Sequence, residues 1–242
     1  FGTGAIVNNA SLVFNQTSDA SFASVISGTG SFTKSGAGAL TLTGINSFTG
    51  GTTVMAGRLN VTGSLARSAI TLQSGSSLGG NGTVGSLTAQ SGSTVSPGNS
   101  IGTLAVNGNL TLAAGSLLAI EVAPSGADMV TVTGTANLAG NLTITPSTGQ
   151  YSFFQRFTLV SANTVNGTFS DSVVGDFGTK FLPKLIYDAT SVVLQLDPKS
   201  LVEVSGGALV GNSRALATAF DTAVFAGDNP ERFVNLYTQG AD

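Results

Sequence analysis

The chain has 242 residues, of which 33 are glycine and none is cysteine or histidine. Charged residues make up only 9% of the sequence, against about 25% in an ordinary globular domain. The composition therefore excludes a Cys/His zinc site, a Ser-His-Asp triad and a disulfide framework. The formal net charge is −3, with only nine Lys and Arg residues. This argues against a nucleic-acid partner, because nucleic-acid-binding proteins normally carry a basic stripe on their surface.

The few charges lie mostly in the second half of the sequence. No charged residue occurs between Ser68 and Ile120. Solubility over that stretch must come from hydroxyl, amide and backbone groups, which suits stacked strands with Ser, Thr and Asn on their outer faces. Residues 1–120 carry four charges in all: Asp19, Lys34, Arg58 and Arg67.

Alternation of apolar and hydroxyl side chains predicts strands through most of residues 1–198. In Ala39–Thr43 and Met129–Thr133, for example, Leu or Val alternates with Thr, which places the apolar side chains on one face. Gly residues and Asn-Gly pairs such as Asn81-Gly82 separate these runs and predict turns. Nine apolar residues are expected to point into the core: Leu40, Leu42, Leu59, Val61, Leu72, Leu87, Leu104, Leu110 and Leu112.

Short segments recur along the chain. Gln73–Leu78 returns as Gln90–Val95, an offset of 17 residues, and the same offset carries Val84–Leu87 onto Ile101–Leu104. Units of about 17–23 residues with several short strands predict the coils of a right-handed parallel β-helix, because stacking buries a face that one coil cannot bury alone. A β-sandwich also has short strands, but it does not predict this self-similarity.

The tail has the spacing of helices. Asn212 or Ser213 is expected to cap a first helix that Gly227 ends, and Asn229–Glu231 predicts the start of a second. The apolar residues of the first helix fall at i, i+4, i+7 and i+8: Leu216, Phe220, Ala223 and Val224. Those of the second helix are Phe233, Leu236 and Tyr237.

Motifs that suggest chemistry have simpler interpretations. Gly80–Gly85 spells G-x-G-x-x-G, but a dinucleotide site needs a following helix and an acid about twenty residues on; we interpret these residues as turn glycines. Gly79–Gly82 resembles a calcium-binding nonapeptide without its Asp. We therefore predict no catalytic, cofactor-binding or metal-binding residues. Two pairs of acids lie close in sequence and are interpreted as solvated loop acids: Glu121 with Asp128, and Asp171 with Asp176.

Ser35–Val61 resembles the autotransporter-associated β-strand repeat, whose pattern is G-x-L-x-L-x-G-x-N-x-[YF]-x-G-x-T-x-V-x-x-G-x-L. Residues 104–198 resemble the autochaperone region at the C-terminal end of such passengers, since Phe157–Ala162 followed by Val165–Phe169 fits its recurrent strand ending. Asn212–Ala217 is similar to the segment just upstream of the membrane barrel in this family.

The resemblance implies a type V secretion passenger, carried through the periplasm and outer membrane to the bacterial cell surface. Its partners would be its own C-terminal translocator β-barrel, whose strands are absent from this sequence, and the outer-membrane assembly machinery. The expected parts are β-helix repeats of a stalk (1–103), a cap resembling the autochaperone (104–198) and an α-helical linker (199–242).

The densest aromatic cluster is expected to form the core of the capping end rather than a ligand platform. A bulky core would make 104–198 the most stable unit, because the upstream coils are rich in Gly and their inward residues are mostly Leu and Val. The predicted core residues are Tyr151, Phe153, Phe154, Phe157 and Phe169.

The expected function is a non-catalytic stalk and autochaperone segment. One alternative is adhesion or self-association through the Thr/Asn-rich face, with the host cell surface or further copies as partner. Another is a spacer for an upstream catalytic module such as a protease. A polysaccharide-acting enzyme is disfavoured, because the charged residues of the repeat region lie too far apart in sequence for general acid–base work.

Overall fold

The computed structural model describes residues 4–206 and 208–225 of the chain, which form 24 strands and two helices. The helices are α1 (Leu201–Val204) and α2 (Gly211–Phe225). In chain order the strands are β1 (Ile6–Val7), β2 (Ser11–Asn15), β3 (Ala20–Phe22), β4 (Ile26–Ser27), β5 (Ser31–Ser35), β6 (Ala39–Leu42), β7 (Thr52–Val54), β8 (Gly57–Val61), β9 (Ser64–Leu65), β10 (Ile70–Leu72), β11 (Ser76–Gly80), β12 (Thr83–Val84), β13 (Leu87–Ala89), β14 (Thr94–Pro97), β15 (Thr103–Val106), β16 (Leu110–Leu112), β17 (Leu117–Ala123), β18 (Gly126–Ala127), β19 (Met129–Leu138), β20 (Asn141–Pro146), β21 (Gln155–Gly167), β22 (Asp171–Val174), β23 (Phe181–Tyr187) and β24 (Ser191–Pro198).

Strands of successive coils pair in parallel and build a solenoid of about seven turns. Face 1 consists of β2, β5, β7, β10, β13, β16 and the second halves of β19 and β21. Face 2 consists of β3, β6, β8, β11, β14, β17, β20 and β22. Face 3 holds β9, β12, β15 and the first half of β19. The predicted all-β parallel solenoid with a short helical tail is confirmed.

The inner sides of these faces form one continuous apolar core. All nine residues predicted to point inward are buried, each at most 1% exposed. Their neighbours along each strand, mostly Thr, Ser and Asn, lie on the outer side, because successive side chains of a strand point to opposite faces.

The coils lengthen toward the C-terminus. On face 1 the residue paired with Ile70 is Leu87, 17 positions later, whereas the residue paired with Ala136 is Val165, 29 positions later. The longer coils carry extra structure, such as the antiparallel hairpin that β17 and β18 form. Repeat length is therefore regular in the first part of the solenoid only.

The register confirms one predicted offset and corrects the other. Leu78 pairs with Val95, as the 17-residue repeat predicts. Val84, however, pairs with Val106 rather than with Ile101, because residues 98–102 are inserted between β14 and β15. The insertion begins where Gly80 and Gly98 exchange two backbone hydrogen bonds of 3.2 and 2.9 Å.

The first coils contain an aromatic stack that the sequence analysis did not predict. Phe14 lies 5.6 Å from Phe22 and 5.3 Å from Phe32, measured between ring centroids, and Phe32 stacks on Phe48 at 5.9 Å. All four rings are buried. The expectation that the upstream coils are packed mainly by Leu and Val is therefore wrong for the first three coils.

The solenoid is closed at its C-terminal end by a change of strand direction. β24 pairs antiparallel with β21, and β23 pairs antiparallel with β24. Helix α1 follows directly, with Ser200 and Glu203 forming a reciprocal capping box. The hairpin of β23 and β24 thus occupies the side of β21 where a further parallel coil would otherwise pair.

Helix α2 packs inward through most of its predicted apolar face, since Val224 is buried, Phe220 packs against the core and Ala223 is half-buried. It begins at Gly211, so Asn212 and Ser213 lie within it rather than capping it. Leu216 is 59% exposed, whereas Asp221 is buried and its Oδ1 accepts a 2.7 Å hydrogen bond from the N–H of Leu201. The prediction is therefore wrong for Leu216, and a hydrophobicity pattern does not predict the polar contact that buries Asp221.

The predicted helix end at Gly227 and the second helix from Asn229 lie outside the described residues. Neither α1 nor α2 is long and apolar enough to cross a membrane, and no other helix occurs in residues 4–206 and 208–225.

Candidate functional site

An aromatic cluster fills the C-terminal end of the core. The ring of Tyr151 makes edge-to-face contacts with Phe157, Phe177 and Phe181 at centroid distances of 6.2, 5.0 and 6.4 Å. Its hydroxyl shares its proton between the carbonyl oxygens of Val122 (3.0 Å) and Ser147 (2.9 Å). Each edge-to-face pair contributes about 0.5–1.5 kcal/mol beyond its buried area. We call these four rings the cap cluster.

Two more of the predicted core residues border the cap cluster. Phe153 is buried 5.3 Å from Phe181, and the Lys180 ammonium lies over both rings at 5.7 and 5.4 Å, a cation–π geometry. Phe169 is buried beside Tyr187 at 6.4 Å. The structure therefore brings Tyr151, Phe153 and Phe157 together, with Phe169 in a separate contact of the same core.

Phe154, the remaining predicted residue, lies outside this core. Its side chain is 37% exposed and its φ of 58° is in the left-handed region, which bulky residues rarely adopt. Its N–H donates a 2.7 Å hydrogen bond to the carbonyl of Leu196 in β24. This turn points the Phe154 side chain away from the core, and the sequence alone gave no signal for the left-handed backbone.

Strand β2 forms the N-terminal edge of face 1 within the described residues. Strand β2 pairs with β5 alone, so the far edge of β2 has no strand partner among the described residues. A depression of about 560 Å³ lies there, lined by Leu12, Phe14, Phe22 and Gln16 among others. Both polar atoms of the Gln16 amide are buried, with no hydrogen-bond partner in the described part of the chain. Within the described residues, antiparallel strands close the C-terminal side of the core, and β2 forms the edge of the first coil.

A buried lysine, which the sequence analysis counted only as a scattered charge, lies in the second coil. Lys34 is fully buried, and its Nζ donates hydrogen bonds to the carbonyl oxygens of Ser35 (3.0 Å), Gly36 (2.8 Å) and Ala56 (3.2 Å). Burial lowers the pKa of this amine. Its place two residues after Phe32 in β5 put it on the inward side, and that spacing was the signal available in the sequence.

A buried asparagine joins three coils. The Asn46 Oδ1 accepts a 2.9 Å hydrogen bond from the N–H of Ile26, and its Nδ2 donates to the carbonyls of Gly44 (3.0 Å) and Ser64 (3.1 Å). Asn46 is the Asn of the repeat pattern quoted above, and its position explains why that pattern has an amide there. A side chain with both an acceptor and a donor is needed to satisfy these backbone groups.

One of the predicted solvated acids is buried. Asp128 is 2% exposed, and its two carboxylate oxygens accept hydrogen bonds of 2.9 Å from the N–H groups of Gly102 and Glu121. Burial raises the pKa of Asp128; the two N–H groups oppose that rise, and the charge of Glu121 adds to it. Asp128 therefore anchors the inserted loop 98–102. Glu121, Asp171 and Asp176 are exposed, as predicted.

The glycine motif is a turn, as interpreted from the sequence. Gly80 ends β11 with a φ of 104°, and a Cβ there would overlap the carbonyl of Val61. Strands β12 and β13 follow instead of a helix. No group of three or more Asp and Glu side chains that could hold a metal ion occurs within residues 4–206 and 208–225.

The outer side of face 1 carries a regular polar row. Its members are direct partners in neighbouring strands and are half-buried. Parallel strands repeat about every 4.8 Å, so the hydroxyl groups form a ladder of even spacing. We call it the threonine row: Thr33, Thr53, Thr71, Thr88 and Thr111.

The fold defines a parallel β-solenoid with an antiparallel closure on its C-terminal side, and two comparisons with known proteins indicate its class. The family model of the passenger-associated transport repeat matches residues 32–61. A relative is the adhesin BmaC autotransporter of Brucella suis biovar 1 (strain 1330), 48% identical over 66 residues, which are 26% of this chain and 2% of that protein. These matches support an autotransporter passenger domain, as the resemblance predicted.

The same matches indicate secretion through the outer membrane to the cell surface, which confirms the predicted localisation. Autotransporter passengers in general reach the surface with a translocator barrel and outer-membrane machinery. The chain spans about 2% of the length of the curated relative it matches.

Proposed function

We propose that residues 104–198 act as the cap and autochaperone of this passenger domain, and residues 1–103 as its non-catalytic stalk. The observation that supports this division is the antiparallel closure on the C-terminal side of the solenoid. There β24 pairs antiparallel with β21 and β23, and β21 and β23 contribute Phe157 and Phe181 to the cap cluster. A closed end gives the core a fixed surface on which further coils can stack.

In this proposal the C-terminal end emerges first, folds first and presents its edge to the next coil. Each coil that stacks buries apolar side chains worth about 25 cal/mol per Å². That gain favours outward movement of the chain without nucleotide hydrolysis. The specific partners are the chain's own translocator barrel and the outer-membrane assembly machinery.

Placement of the acids supports a non-catalytic role. The two N–H groups that Asp128 binds occupy its carboxylate oxygens, and general acid–base work needs a carboxyl that can reach a substrate. Asp171 and Asp176 are exposed on the strand β22 and the loop after it. We propose that these acids serve the structure and its solubility.

The test measures surface display of the passenger, followed by limited proteolysis, for two variants. Each variant removes one buried phenyl ring by a Phe→Ala change. Phe157→Ala removes a ring of the cap cluster, and Phe32→Ala removes a fully buried ring of the first coils. We expect Phe157→Ala to reduce display of the whole domain and Phe32→Ala to expose cleavage sites in the first coils only. Equal loss of display in both variants would contradict the proposal.

A second candidate function is adhesion or self-association through the threonine row. The matched relative is named an adhesin, and the row is long, even and uncharged. We expect Thr71→Lys, in the middle of the row, to reduce clumping of cells that display the chain. Thr143→Lys, on the half-buried outer side of face 2, is the matched control and should leave clumping unchanged. Equal effects of the two changes would exclude the row as the adhesive surface.

A further inference from the structure

We propose that Lys34 is a register lock: its buried ammonium fixes how the second coil is aligned on the third. The proposal concerns the assembly of the solenoid and is independent of the function proposed above.

Lys34 occupies a position that is apolar in all the other coils from β2 to β19. The inward column of face 1 that contains it runs through directly paired residues of β2, β5, β7, β10, β13, β16 and β19. The other members are all buried and apolar: Phe14, Val54, Leu72, Ala89, Leu112 and Leu138. Burying a charge costs several kcal/mol unless it is well compensated, so packing alone does not account for a lysine here.

The compensation comes from backbone carbonyls of two coils. An ammonium has three N–H donors, and all three find an acceptor at 2.8–3.2 Å. Ser35, the last residue of β5, and Gly36, in the turn after it, supply two carbonyls from the same coil. Ala56, in the turn after β7, supplies the third from the next coil. The third bond alone depends on how the two coils are aligned.

The apolar pattern does not fix that alignment by itself. A slip of one residue would turn every inward side chain outward and is therefore excluded. A slip of two residues keeps inward residues inward, so alternation allows it. Such a slip moves the carbonyl of Ala56 by about 6.6 Å along the strand, out of reach of Lys34. A single buried polar group is known to fix register in this way in coiled coils.

The absence of cysteine from the sequence makes register directly measurable. Thr33 and Thr53 are outward and directly paired, which suits a disulfide. Met55 replaces Thr53 as the partner of Thr33 after a two-residue slip. The experiment refolds Thr33→Cys/Thr53→Cys and Thr33→Cys/Met55→Cys chains under mild oxidation, with Lys34 and with Lys34→Met, and quantifies cross-linked chain on a non-reducing gel.

With Lys34 present we expect the native pair to cross-link and the slipped pair to remain largely reduced. With Lys34→Met the ratio of slipped to native cross-link should rise at least fivefold. Phe32→Leu is the matched control, because it weakens packing at the adjacent inward position and leaves the ammonium in place. Its ratio should equal that of the parent. An unchanged ratio in Lys34→Met, or an equal rise in Phe32→Leu, would overturn the proposal.

Failure of Lys34→Met to fold would also be informative. A native-register disulfide between Cys at positions 33 and 53 supplies the alignment that the ammonium otherwise provides. We expect this disulfide, formed before refolding, to restore folding of Lys34→Met, as judged by circular dichroism and resistance to protease. If the cross-linked variant remains unfolded, Lys34 acts in general stability rather than in register, and the proposal is wrong.

Discussion

The two parts of the solenoid, residues 4–103 and 104–198, share inward Leu and Val columns but differ in how they are organised. In the first part, paired residues on face 1 are 17–20 positions apart; in the second they are 23–29 apart. The second part also contains the hairpin of β17 and β18 and the antiparallel closure by β24. Short coils of nearly equal length can stack on one another repeatedly. The long coils contain the hairpin and the antiparallel strands that close the solenoid.

Aromatic content does not distinguish the two parts. The first part has its own buried stack, in which Phe14, Phe32 and Phe48 follow one another. What distinguishes the second part is the support of its rings, since Tyr151 is held by two carbonyls and the cluster is covered by the hairpin. We therefore base the predicted stability of 104–198 on closure, not on the number of aromatic residues.

The largest expected effect comes from the cap cluster. Phe157→Ala should lower the free energy of unfolding by about 3–5 kcal/mol, because it deletes a buried ring that cannot be replaced by neighbouring side chains. Phe154→Ala, in the adjoining turn but half exposed, should change it by less than about 1 kcal/mol. Urea unfolding followed by circular dichroism measures both. Similar losses would mean that the exposed ring belongs to the core after all.

A smaller effect is expected among the first coils. Asn46→Ala leaves the N–H of Ile26 and the carbonyls of Gly44 and Ser64 without this partner, at a cost of about 1–3 kcal/mol for a buried unsatisfied group. Because the loss lies among the first coils, hydrogen exchange should rise there and stay unchanged in β21 and β24. Faster exchange across the whole chain would contradict the division into two parts.

Removal of one hydroxyl tests the support of the cap cluster. Tyr151→Phe keeps the ring and loses the hydrogen bond that the hydroxyl shares between Val122 and Ser147. The free energy of unfolding should fall by about 1–2 kcal/mol. The measurement is the shift of the urea unfolding midpoint at an unchanged m-value. An unchanged midpoint would show that closure does not depend on this bond.

The smallest effect concerns pH. Burial raises the pKa of the Asp128 carboxyl above its usual 3.8, so the folded chain holds this proton more tightly than the unfolded chain. The stabilisation from that proton is full below the unfolded pKa and is lost as pH rises through the folded pKa. The stability of the parent relative to Asp128→Asn should therefore decrease as pH rises above about 4. A difference that is constant or grows with pH, in urea titrations at several pH values, would refute this.

Local patterns account for what the sequence predicted well. Alternation in segments such as Ala39–Thr43 and the repeat of Gln73–Leu78 depend on neighbouring residues, and they identified the inward residues and the parallel stacking. The insertion at 98–102 escaped prediction because its register is set by pairing between coils. The direction of β24 likewise depends on strands far apart in sequence.

The candidate site shows the same limit. Buried Tyr and Phe rings followed from composition, but Phe154 was misplaced because a left-handed residue reverses the direction of its side chain. Asp128 was expected to be a solvated loop acid, and Lys34 was counted only as a scattered charge. Their burial depends on hydrogen bonds to backbone carbonyls and N–H groups of other coils. A pattern of neighbouring residues does not predict these hydrogen-bond partners.

Native-state hydrogen exchange of the whole chain tests the central claim most directly, because it gives an opening free energy for each strand. If the antiparallel strands close and stabilise the C-terminal side of the core, the amides of β21 and β24 should exchange only through global unfolding. The amides of β2 and β5 should exchange through openings of lower free energy that leave the cap intact. If β5 and β7 are the most protected strands, or if all strands share one opening free energy, the cap does not govern the fold and the account is wrong.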